Sequence, residues 1–199
     1  MTDSSAGARS GAAGTKPRKR EQLAAAAAQV LYEQGVEKTT LADIARAADV
    51  PVGNVYYYFK TKDELVEAAI DVHAQHLRAM IAELDRLPVP QDRLKALVRG
   101  WVDQRELAAR YGCPFGTLAS ELGKQADGLH RSAATVMQLL IDWAQLQFQA
   151  LGADRPRDLA ISLIAAYQGM SLLASTFRDP ELMSSQGRYL ESWIDSVSR

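Results

Sequence analysis

Residues 40–65 of the 199-residue chain read TLADIARAADVPVGNVYYYFKTKDEL, and this stretch decides the fold. A capping box indicates the start of its first helix, because Thr40 is followed three residues later by Asp43, in the place more often taken by Glu. Apolar residues then recur at helical spacing, and a short turn at 48–51 leads to a second helix. The stretch therefore predicts a helix-turn-helix.

The second helix of this motif is predicted to bury one face and to expose an unusual one. Pro51 suits the first helical position, and Val55 and Phe59 are four residues apart, so both face inward. A helix exposed only to water would carry Lys and Glu, whereas this one presents groups that form hydrogen bonds and also have apolar faces. The residues predicted to face outward are Val52, Gly53, Asn54, Tyr56, Tyr57 and Tyr58.

Contact with DNA explains this outward face. Tyrosine hydroxyls reach phosphates, an Asn side chain can read an adenine edge, and apolar carbon can touch a thymine methyl group. Lysines beside the helix would neutralise phosphates. In the alternative interpretation, the tyrosines only pack on neighbouring helices. The predicted DNA-contacting residues are Thr40, Val52, Gly53, Asn54, Tyr56, Tyr57, Tyr58, Lys60 and Lys62.

Helical patterns continue on both sides of this stretch. A first helix begins near Pro17 and ends at Gly35, since glycine supplies the left-handed residue that closes many helices. Thr61 and Glu64 have the spacing of a second capping box, which opens a long helix that ends before the prolines of 87–90.

Beyond these prolines, apolar residues at helical spacing predict five further helices, and no alternating pattern typical of a strand appears. The chain is therefore predicted to be all-α, with about nine helices. The five ranges are 93–109, 115–122, 129–151, 157–177 and a last helix opened by Pro180 and Glu181.

The composition is that of an ordered globular protein, since 47% of the residues are hydrophobic and 24% are charged. No uninterrupted apolar run approaches the roughly 18 residues that span a bilayer, so we expect no membrane partner. Residues 1–15 are small and polar, without the apolar block of a secretory signal, which predicts a disordered tail and a cytoplasmic protein. Residues 1–60 carry 8 Lys and Arg against 6 Asp and Glu, so a nucleic-acid contact belongs at the N-terminus.

Over residues 17–66 the chain resembles the DNA-binding signature of the TetR family of transcriptional regulators. The motifs that carry the resemblance are those of residues 40–45, 55–59 and 62–65. Two positions depart from the family pattern, because Asp49 stands where a turn glycine is usual and Pro51 where a helix-capping Ser is usual. These departures leave open which side chain caps the third helix.

The resemblance implies an all-helical homodimer that represses from a palindromic operator until a small-molecule inducer binds, with the fourth helix swinging the DNA-binding heads out of register. Repression or activation remains open from the residues themselves. The family plan places a DNA-binding domain at 16–62 and a ligand-binding and dimerisation domain at 63–199, whose last two long helices form the dimer interface. Small residues would let these helices approach closely, and apolar residues of the last helix could pack across the two-fold axis or in a monomer's core. They are Ala160, Ala165, Ala166, Gly169, Ser171, Leu190, Trp193 and Ile194.

Large apolar side chains of the second domain are candidates for the wall of a ligand cavity, because aromatic walls with a few polar points suit small organic molecules. Each of them is also compatible with an ordinary core position. The candidates are Trp101, Tyr111, Cys113, Phe115, Met137, Trp143, Tyr167, Met170 and Phe177.

The chain has one cysteine, Cys113, within a segment where two glycines and a proline predict a kink between helices. The segment resembles one in the branch of the family that includes an electrophile-responsive repressor of reductase genes, where the aligned cysteine is the sensor. This resemblance implies a thiol-based electrophile or redox sensor as an alternative, with Arg110 favouring the thiolate. The other interpretation is a small buried side chain.

Other classes of function have weaker support in the sequence. His73 and His76 have a spacing compatible with a shared metal, yet exposed histidines are the preferred interpretation, and neither a metal nor another cofactor is expected. No nucleophile elbow, phosphate loop or paired acids predict an enzyme. A helical interaction module without sequence-specific DNA binding is the remaining alternative, but it would not require a tyrosine-rich third helix.

Overall fold

The computed structural model describes residues 15–123 and 128–197, with side chains from residue 18 onward. Within these two ranges all regular structure is helical, which confirms the predicted all-α class. The predicted disordered tail at 1–15 lies outside the described residues, except that Thr15 begins the first helix. The helices are α1 (Thr15–Gln34), α2 (Leu41–Ala47), α3 (Val52–Tyr58), α4 (Lys62–Leu84), α5 (Pro90–Asp103), α6 (Arg105–Tyr111), α7 (Pro114–Leu122), α8 (Leu129–Ala150), α9 (Pro156–Phe177) and α10 (Glu181–Val197).

The predicted helix over 93–109 is divided into α5 and α6, so the described ranges hold ten helices instead of about nine. The division falls at Gln104, whose backbone angles of φ −96° and ψ 13° lie outside the helical region. Its amide donates to the carbonyl of Trp101 at 3.2 Å, which tightens the turn between the two helices. The sequence does not reveal this break, because no proline or glycine stands at this position and the apolar periodicity continues through it.

The ends of α2, α3 and α4 show how the helix-turn-helix is built. The Thr40–Asp43 capping box is confirmed, with both reciprocal hydrogen bonds present. Pro51 is the N-cap of α3 and not its first helical residue, and no side chain caps this helix. The second capping box is only half correct: Thr61 accepts from the Glu64 amide at 3.1 Å, but the Glu64 carboxylate accepts from the amide of Lys60 at 2.8 Å.

Left-handed backbone occurs at two turns of this region. Gly35 has φ 81° and its amide donates to Leu31 at the end of α1, as predicted. Asp49 has φ 52°, a conformation that suits glycine best and that Asp adopts at moderate cost. The departure from the family pattern at this position therefore places a strained residue in the turn.

Two hydrophobic cores hold the molecule together. The first, which we call the head core, unites α1–α4 with buried residues of α7 and α8, among them Leu122 and Val136. Val55 and Phe59 are fully buried in it, which confirms their predicted structural role. The second, the body core, is formed by α5, α6, α8, α9 and α10. Because the head core contains residues of α7 and α8, the DNA-binding part and the rest of the chain share packed side chains.

The last helix packs within its own chain. Leu190 and Ile194 of α10 are buried in the body core, and the ring of Trp193 lies edge-on to Phe148 with 5.8 Å between centroids. For Leu190 and Ile194 the alternative of a monomer's core is therefore correct, whereas packing of the half-buried Trp193 across a two-fold axis stays a prediction.

An exposed apolar face lies instead on α8 and α9. Leu172 of α9 is 65% exposed and Leu146 of α8 is 60% exposed, a fraction unusual for leucines that no other chain covers. Ala165 and Gly169 are exposed on the same side of α9, whereas Ala160 and Ser171 are buried and serve the packing of the body core. The remaining members of this α8–α9 face are Ile161, Leu173 and Phe177.

The length and composition of α9 would suffice to cross a membrane. The sequence analysis considered only uninterrupted apolar runs, whereas the mean hydropathy of α9 is high despite polar residues such as Gln168. Only part of this helix is buried, with Leu163 and Ala174 fully enclosed in the body core. The apolar residues of α9 thus form two surfaces: one packs in the body core, and the other belongs to the α8–α9 face.

Candidate DNA-binding surface and ligand cavity

The outward surface of α3 is formed largely as its sequence pattern predicts. Tyr56 and Tyr57 are 54% and 58% exposed, and Val52 is exposed at the first turn. Gly53 has open space around it, since a Cβ placed there meets no other atom within 4 Å. Asn54 is half-buried on the same helix. These side chains create a convex, uncharged surface that combines hydroxyl, amide and apolar groups.

The prediction that Tyr58 faces outward is wrong, because this residue does not lie on the exposed side of α3 as the other two tyrosines do. Its side chain is half-buried and packs against the head core. Its ring lies edge-on to that of Tyr57, with 4.9 Å between the centroids. Residues 55, 58 and 59 lie on one side of a helix with 3.6 residues per turn, which is why Tyr58 shares the inward side with Val55 and Phe59. For this tyrosine, the alternative interpretation of packing on neighbouring helices is the better one.

The remaining predicted contact residues surround α3. Thr40 is exposed at the start of α2, where it caps that helix. The ammonium group of Lys60 donates to the carbonyl of Tyr56 at 2.9 Å, and so neutralises the negative end of α3. Lys62 is half-buried in the first turn of α4. In the free protein, Lys60 therefore already has a structural role.

A cavity of about 530 Å³ lies beneath the head, open to solvent on one side and lined by residues of α1 and α4–α9. Five of the nine predicted ligand-contacting residues line it: Trp101, Cys113, Phe115, Met137 and Tyr167. The rings of Trp101 and Tyr167 stack with 4.3 Å between their centroids and 15° between their planes, which gives one wall a flat aromatic surface.

The other four predicted residues lie away from the cavity. Trp143 is buried in the body core, where its indole N–H donates to the Asp85 carboxylate at 2.9 Å. Met170 is also a core residue. Tyr111 packs edge-on against another tyrosine of the wall, and Phe177 is 67% exposed on the α8–α9 face. The sequence supplies no signal that separates these positions, since large apolar residues recur on every face of the body helices.

Residues of α4 form part of the wall that sequence reasoning missed. Besides Leu77 and Met80, both His73 and His76 line the cavity. The expectation that both histidines are merely exposed is therefore wrong for His73, which is largely buried and has its ring edge-on to Phe115. Their spacing of three residues predicts that both lie on one face of the helix, and this is the feature of the sequence that could have placed them in the same wall. Among the described residues, no group of three or more His, Cys, Asp or Glu could hold a metal ion.

Burial shifts the pKa of three groups on the wall. It lowers the pKa of His73, and the neighbouring His76 lowers it further, so the imidazole is uncharged at neutral pH. Burial and the proximity of Cys113 raise the pKa of Tyr32 to about 12 and that of Tyr167 well above its ordinary value. The wall is thus uncharged at neutral pH at these three positions.

Cys113 lies at the kink that its glycines and proline predict. Gly112 has φ 81°, and Cys113 is the N-cap of α7, where its Sγ accepts from the Gly116 amide at 3.2 Å and from the Gln168 side-chain amide at 3.5 Å. The Arg110 guanidinium lies over the ring of the adjacent tyrosine, 5.7 Å from its centroid. That Arg110 favours the thiolate stays a prediction.

Two of the connections between the cavity wall and the head run through α4 and α7. The first is α4 itself, because Leu65 and Ala69 pack in the head core while His73 and Leu77, farther along the same helix, line the cavity. The second is α7, whose first residues line the cavity and whose Glu121 accepts a hydrogen bond from the amide of Val36 at 2.6 Å.

The contact of Glu121 depends on the glycine before Val36. A Cβ on Gly35 would lie 2.7 Å from a carboxylate oxygen of Glu121, closer than side chains approach each other. Gly35 therefore both closes α1 and leaves room for the carboxylate. On the other side of the same segment, the hydroxyl of Tyr32 donates to the carbonyl of Gly112 at 2.9 Å. The C-terminal end of α1 is thus held by Glu121 near the end of α7 and by Gly112 just before its start.

Comparison with known protein families assigns both parts of the chain. The family described as "Bacterial regulatory proteins, tetR family" matches residues 23–69, and "Transcriptional regulator LmrA/YxaF-like, C-terminal domain" matches residues 90–188. The chain belongs to the TetR family. TetR-family members are helix-turn-helix transcriptional regulators, not enzymes, and they typically act as ligand-responsive dimeric repressors. This assignment does not favour a thiol sensor or an interaction module.

Individual relatives agree with the assignment of this TetR-family regulator. An uncharacterised HTH-type transcriptional regulator of Mycobacterium tuberculosis is 29% identical over 169 residues, covering 80% of this chain and 86% of the relative. The crystal structure of SCO4454, a TetR-family regulator from Streptomyces coelicolor, superposes with a TM-score of 0.80 at 23% identity over 92% of this chain and 97% of that one. The reduced form of NemR from E. coli gives 0.77 at 20% identity, over 88% and 96%. Likeness at this level of identity shows the fold alone.

Proposed function

We propose that this TetR-family regulator is a cytoplasmic, homodimeric repressor that leaves a palindromic operator when a small organic molecule enters the cavity. The observation that carries the proposal is the position of α4, which supplies residues both to the head core and to the cavity wall. A ligand that changes the position of this helix therefore moves the head or changes its packing. We assign DNA binding to the region 16–62 and ligand binding and dimerisation to the region 63–199.

In this proposal α3 enters the major groove. Val52, Gly53 and Asn54 at its start face the base edges, while the hydroxyls of Tyr56 and Tyr57 reach phosphates. The remaining predicted residues hold the register: Thr40 at the start of α2, Lys62 at the start of α4, and Lys60, whose ammonium group exchanges the carbonyl of Tyr56 for a phosphate. Tyr58 supports the reading surface from within the head.

The α8–α9 face is the surface that we assign to the second copy of the chain. Leucines exposed to the extent of Leu146 and Leu172 are stabilised when they are covered, and the exposed Ala165 and Gly169 permit close approach of a partner helix. A two-fold axis through this face would hold two heads at a fixed distance, and two α3 helices about one DNA turn apart read successive major grooves.

Release follows from the differential affinity of the ligand for two states of the dimer. A ligand in the cavity contacts His73 and Leu77 of α4 and the first residues of α7, and both helices continue to the head. A swing of α4 accompanied by a shift of Glu121 would change the distance between the two heads, so that they no longer match the spacing of the operator half-sites. Coupling free energies between such sites are typically about 1–3 kcal/mol, which corresponds to a roughly 5- to 150-fold loss of operator affinity.

The test is an electrophoretic mobility shift with the DNA upstream of the chain's own gene, followed by a thermal-shift screen of small molecules on the free protein. We expect salt-sensitive binding to one palindrome, and we expect hits of the screen to weaken that binding. Absence of sequence-selective binding would overturn the assignment of α3. Hits that stabilise the protein and leave operator affinity unchanged would overturn the role of the cavity.

A matched pair of variants tests the DNA contacts. Tyr57→Phe removes one exposed hydroxyl and should weaken operator binding by about fivefold per head, since one hydrogen bond contributes about 1 kcal/mol. Tyr58→Phe removes the same atom from the half-buried tyrosine and should leave the affinity within about twofold. Equal effects of the two variants would contradict the proposed orientation of α3.

A further inference from the structure

The chemical character of the cavity wall restricts what the cavity can bind. None of the residues that line it is Asp, Glu, Lys or Arg. Its titratable groups are Tyr32 on α1, His73 and His76 on α4, Cys113 before α7 and Tyr167 on α9. An ion that enters such a surrounding loses part of its hydration and finds no opposite charge, which is more costly than the transfer of a neutral polar group.

The shape of the wall adds a second restriction. The stacked rings of Trp101 and Tyr167 offer a flat surface, with Phe115 approaching as a further aromatic ring. Met80 and Met137 are flexible side chains that adapt to the outline of a ligand. A volume of about 530 Å³ lies in the usual range of small-molecule sites. A planar aromatic skeleton fits these surfaces better than a branched or strongly polar one.

One polar group of the wall has no partner within the protein. The Nε2 atom of His73 is buried without a hydrogen bond. Other polar groups of the wall are already used: the hydroxyl of Tyr32 donates to Gly112, the amide of Gln29 donates to Glu33, and the amide of Gln168 donates to the cysteine thiol. An unpaired buried nitrogen costs free energy, which a ligand recovers when the imidazole turns toward it.

Taking these features together, and resting on the proposed role of the cavity, we propose that the inducer is an uncharged aromatic molecule with a hydrogen-bonding group, and that His73 recognises that group. The stack of Trp101 and Tyr167 receives the rings. Carboxylates and quaternary or primary ammonium ions of the same size are excluded by the cost of burying their charge. His73 is thus the residue that sets specificity among molecules that fit by shape.

The experiment compares four probes on one fused-ring skeleton: 1-naphthol, 1-methylnaphthalene, 1-naphthoate and 1-naphthylmethylammonium. Binding to the full chain is measured by isothermal titration at pH 7.5, and release of the operator is measured with the same compounds. We expect 1-naphthol to bind most tightly, 1-methylnaphthalene about 5- to 10-fold more weakly, and the two ions at least tenfold more weakly than 1-naphthol. Binding of either ion as tightly as 1-naphthol, or absence of binding by all four, would overturn the inference.

Variants of His73 test the recognising group. His73→Phe keeps a ring of similar shape and should reduce the affinity for 1-naphthol to that for 1-methylnaphthalene, without changing the latter. His73→Gln restores a hydrogen-bonding group and should recover part of the loss, and thermal melts verify that both variants fold. Unchanged selectivity in both variants would exclude His73 as the residue that recognises the hydrogen-bonding group of the ligand. If the probes bind as expected while operator affinity stays constant, the inference about the cavity holds and the proposed release mechanism fails.

Discussion

Glu121 offers the most direct test of how the cavity communicates with the head. Its carboxylate accepts from the Val36 amide at 2.6 Å, and it is the contact through which the far end of α7 reaches the segment between α1 and α2. Glu121→Ala removes the acceptor and leaves the amide to water. A hydrogen bond to a charged acceptor contributes about 1.5–3 kcal/mol, and since this one is only partly buried we expect a loss of about 1–2 kcal/mol in the free energy of unfolding.

The decisive quantity is the ratio of operator affinities without and with a saturating inducer. If α7 carries part of the signal, this ratio should fall at least threefold in Glu121→Ala, which corresponds to about 0.6 kcal/mol of coupling. Glu121→Gln keeps a neutral acceptor of the same length and should retain most of the ratio. Fluorescence anisotropy with labelled operator measures both affinities directly.

Loss of stability alone must be separated from loss of coupling. Val98→Ala serves as the control, because Val98 is fully buried in the body core, and its truncation costs a comparable amount, about 1–2 kcal/mol. We expect this variant to keep the wild-type ratio. If Glu121→Ala keeps the ratio as well, this hydrogen bond carries no signal, and the communication runs through α4 and the side chains of α7 and α8 packed in the head core. If both variants lower it equally, the effect belongs to general destabilisation.

Three further predictions follow from the described geometry. Leu172→Glu, on the α8–α9 face, should convert the dimer to a monomer in light scattering after size-exclusion chromatography, with little loss of secondary structure; a dimer that persists would place the interface elsewhere. Asp49→Gly should raise the free energy of unfolding by about 0.5 kcal/mol and Asp49→Ala should lower it by about 1 kcal/mol, because φ is 52°; a stabilising Ala would contradict this left-handed assignment. The lowered pKa of His73 means that the unfolded state binds the proton more readily, so the contribution of this residue to stability is complete above about pH 6.5 and is lost as the pH falls through the folded-state value. Chemical denaturation between pH 5 and 7.5 should therefore show a flatter profile for His73→Phe, whereas a profile identical to wild type would exclude His73 as a cause.

The helices and the head could be predicted from the sequence because their signals are local. The Thr40–Asp43 box, the left-handed Gly35 and the four-residue spacing of Val55 and Phe59 each specify structure within one or two turns. The break at Gln104 could not be predicted in this way. No residue at this position has a strong backbone preference of its own, so the break leaves no local signal.

The interior of the body was predictable only in outline, because helical periodicity identifies apolar faces without identifying what covers them. Trp143 and Trp101 are equally large and apolar, yet Trp143 is enclosed in the body core and donates to Asp85, while Trp101 lines the cavity. Leu190 and Leu172 likewise sit on apolar faces of the last two helices, but α10 folds back on α5 and leaves the face of α9 open. These differences arise from long-range packing.

The arrangement of the two cores gives the proposed switch its physical basis. A head joined to the body by α4 alone could move as a rigid unit without any change in the packing of the cavity. Here Leu122 of α7 and Val136 of α8 are buried in the head core, and Val136 also lines the cavity. Since closely packed side chains rearrange between discrete states more readily than they deform, a ligand beside Val136 alters contacts that the head itself needs. The same packing implies that inducer binding and operator binding oppose each other reciprocally, so saturating operator DNA should weaken inducer binding by the same factor.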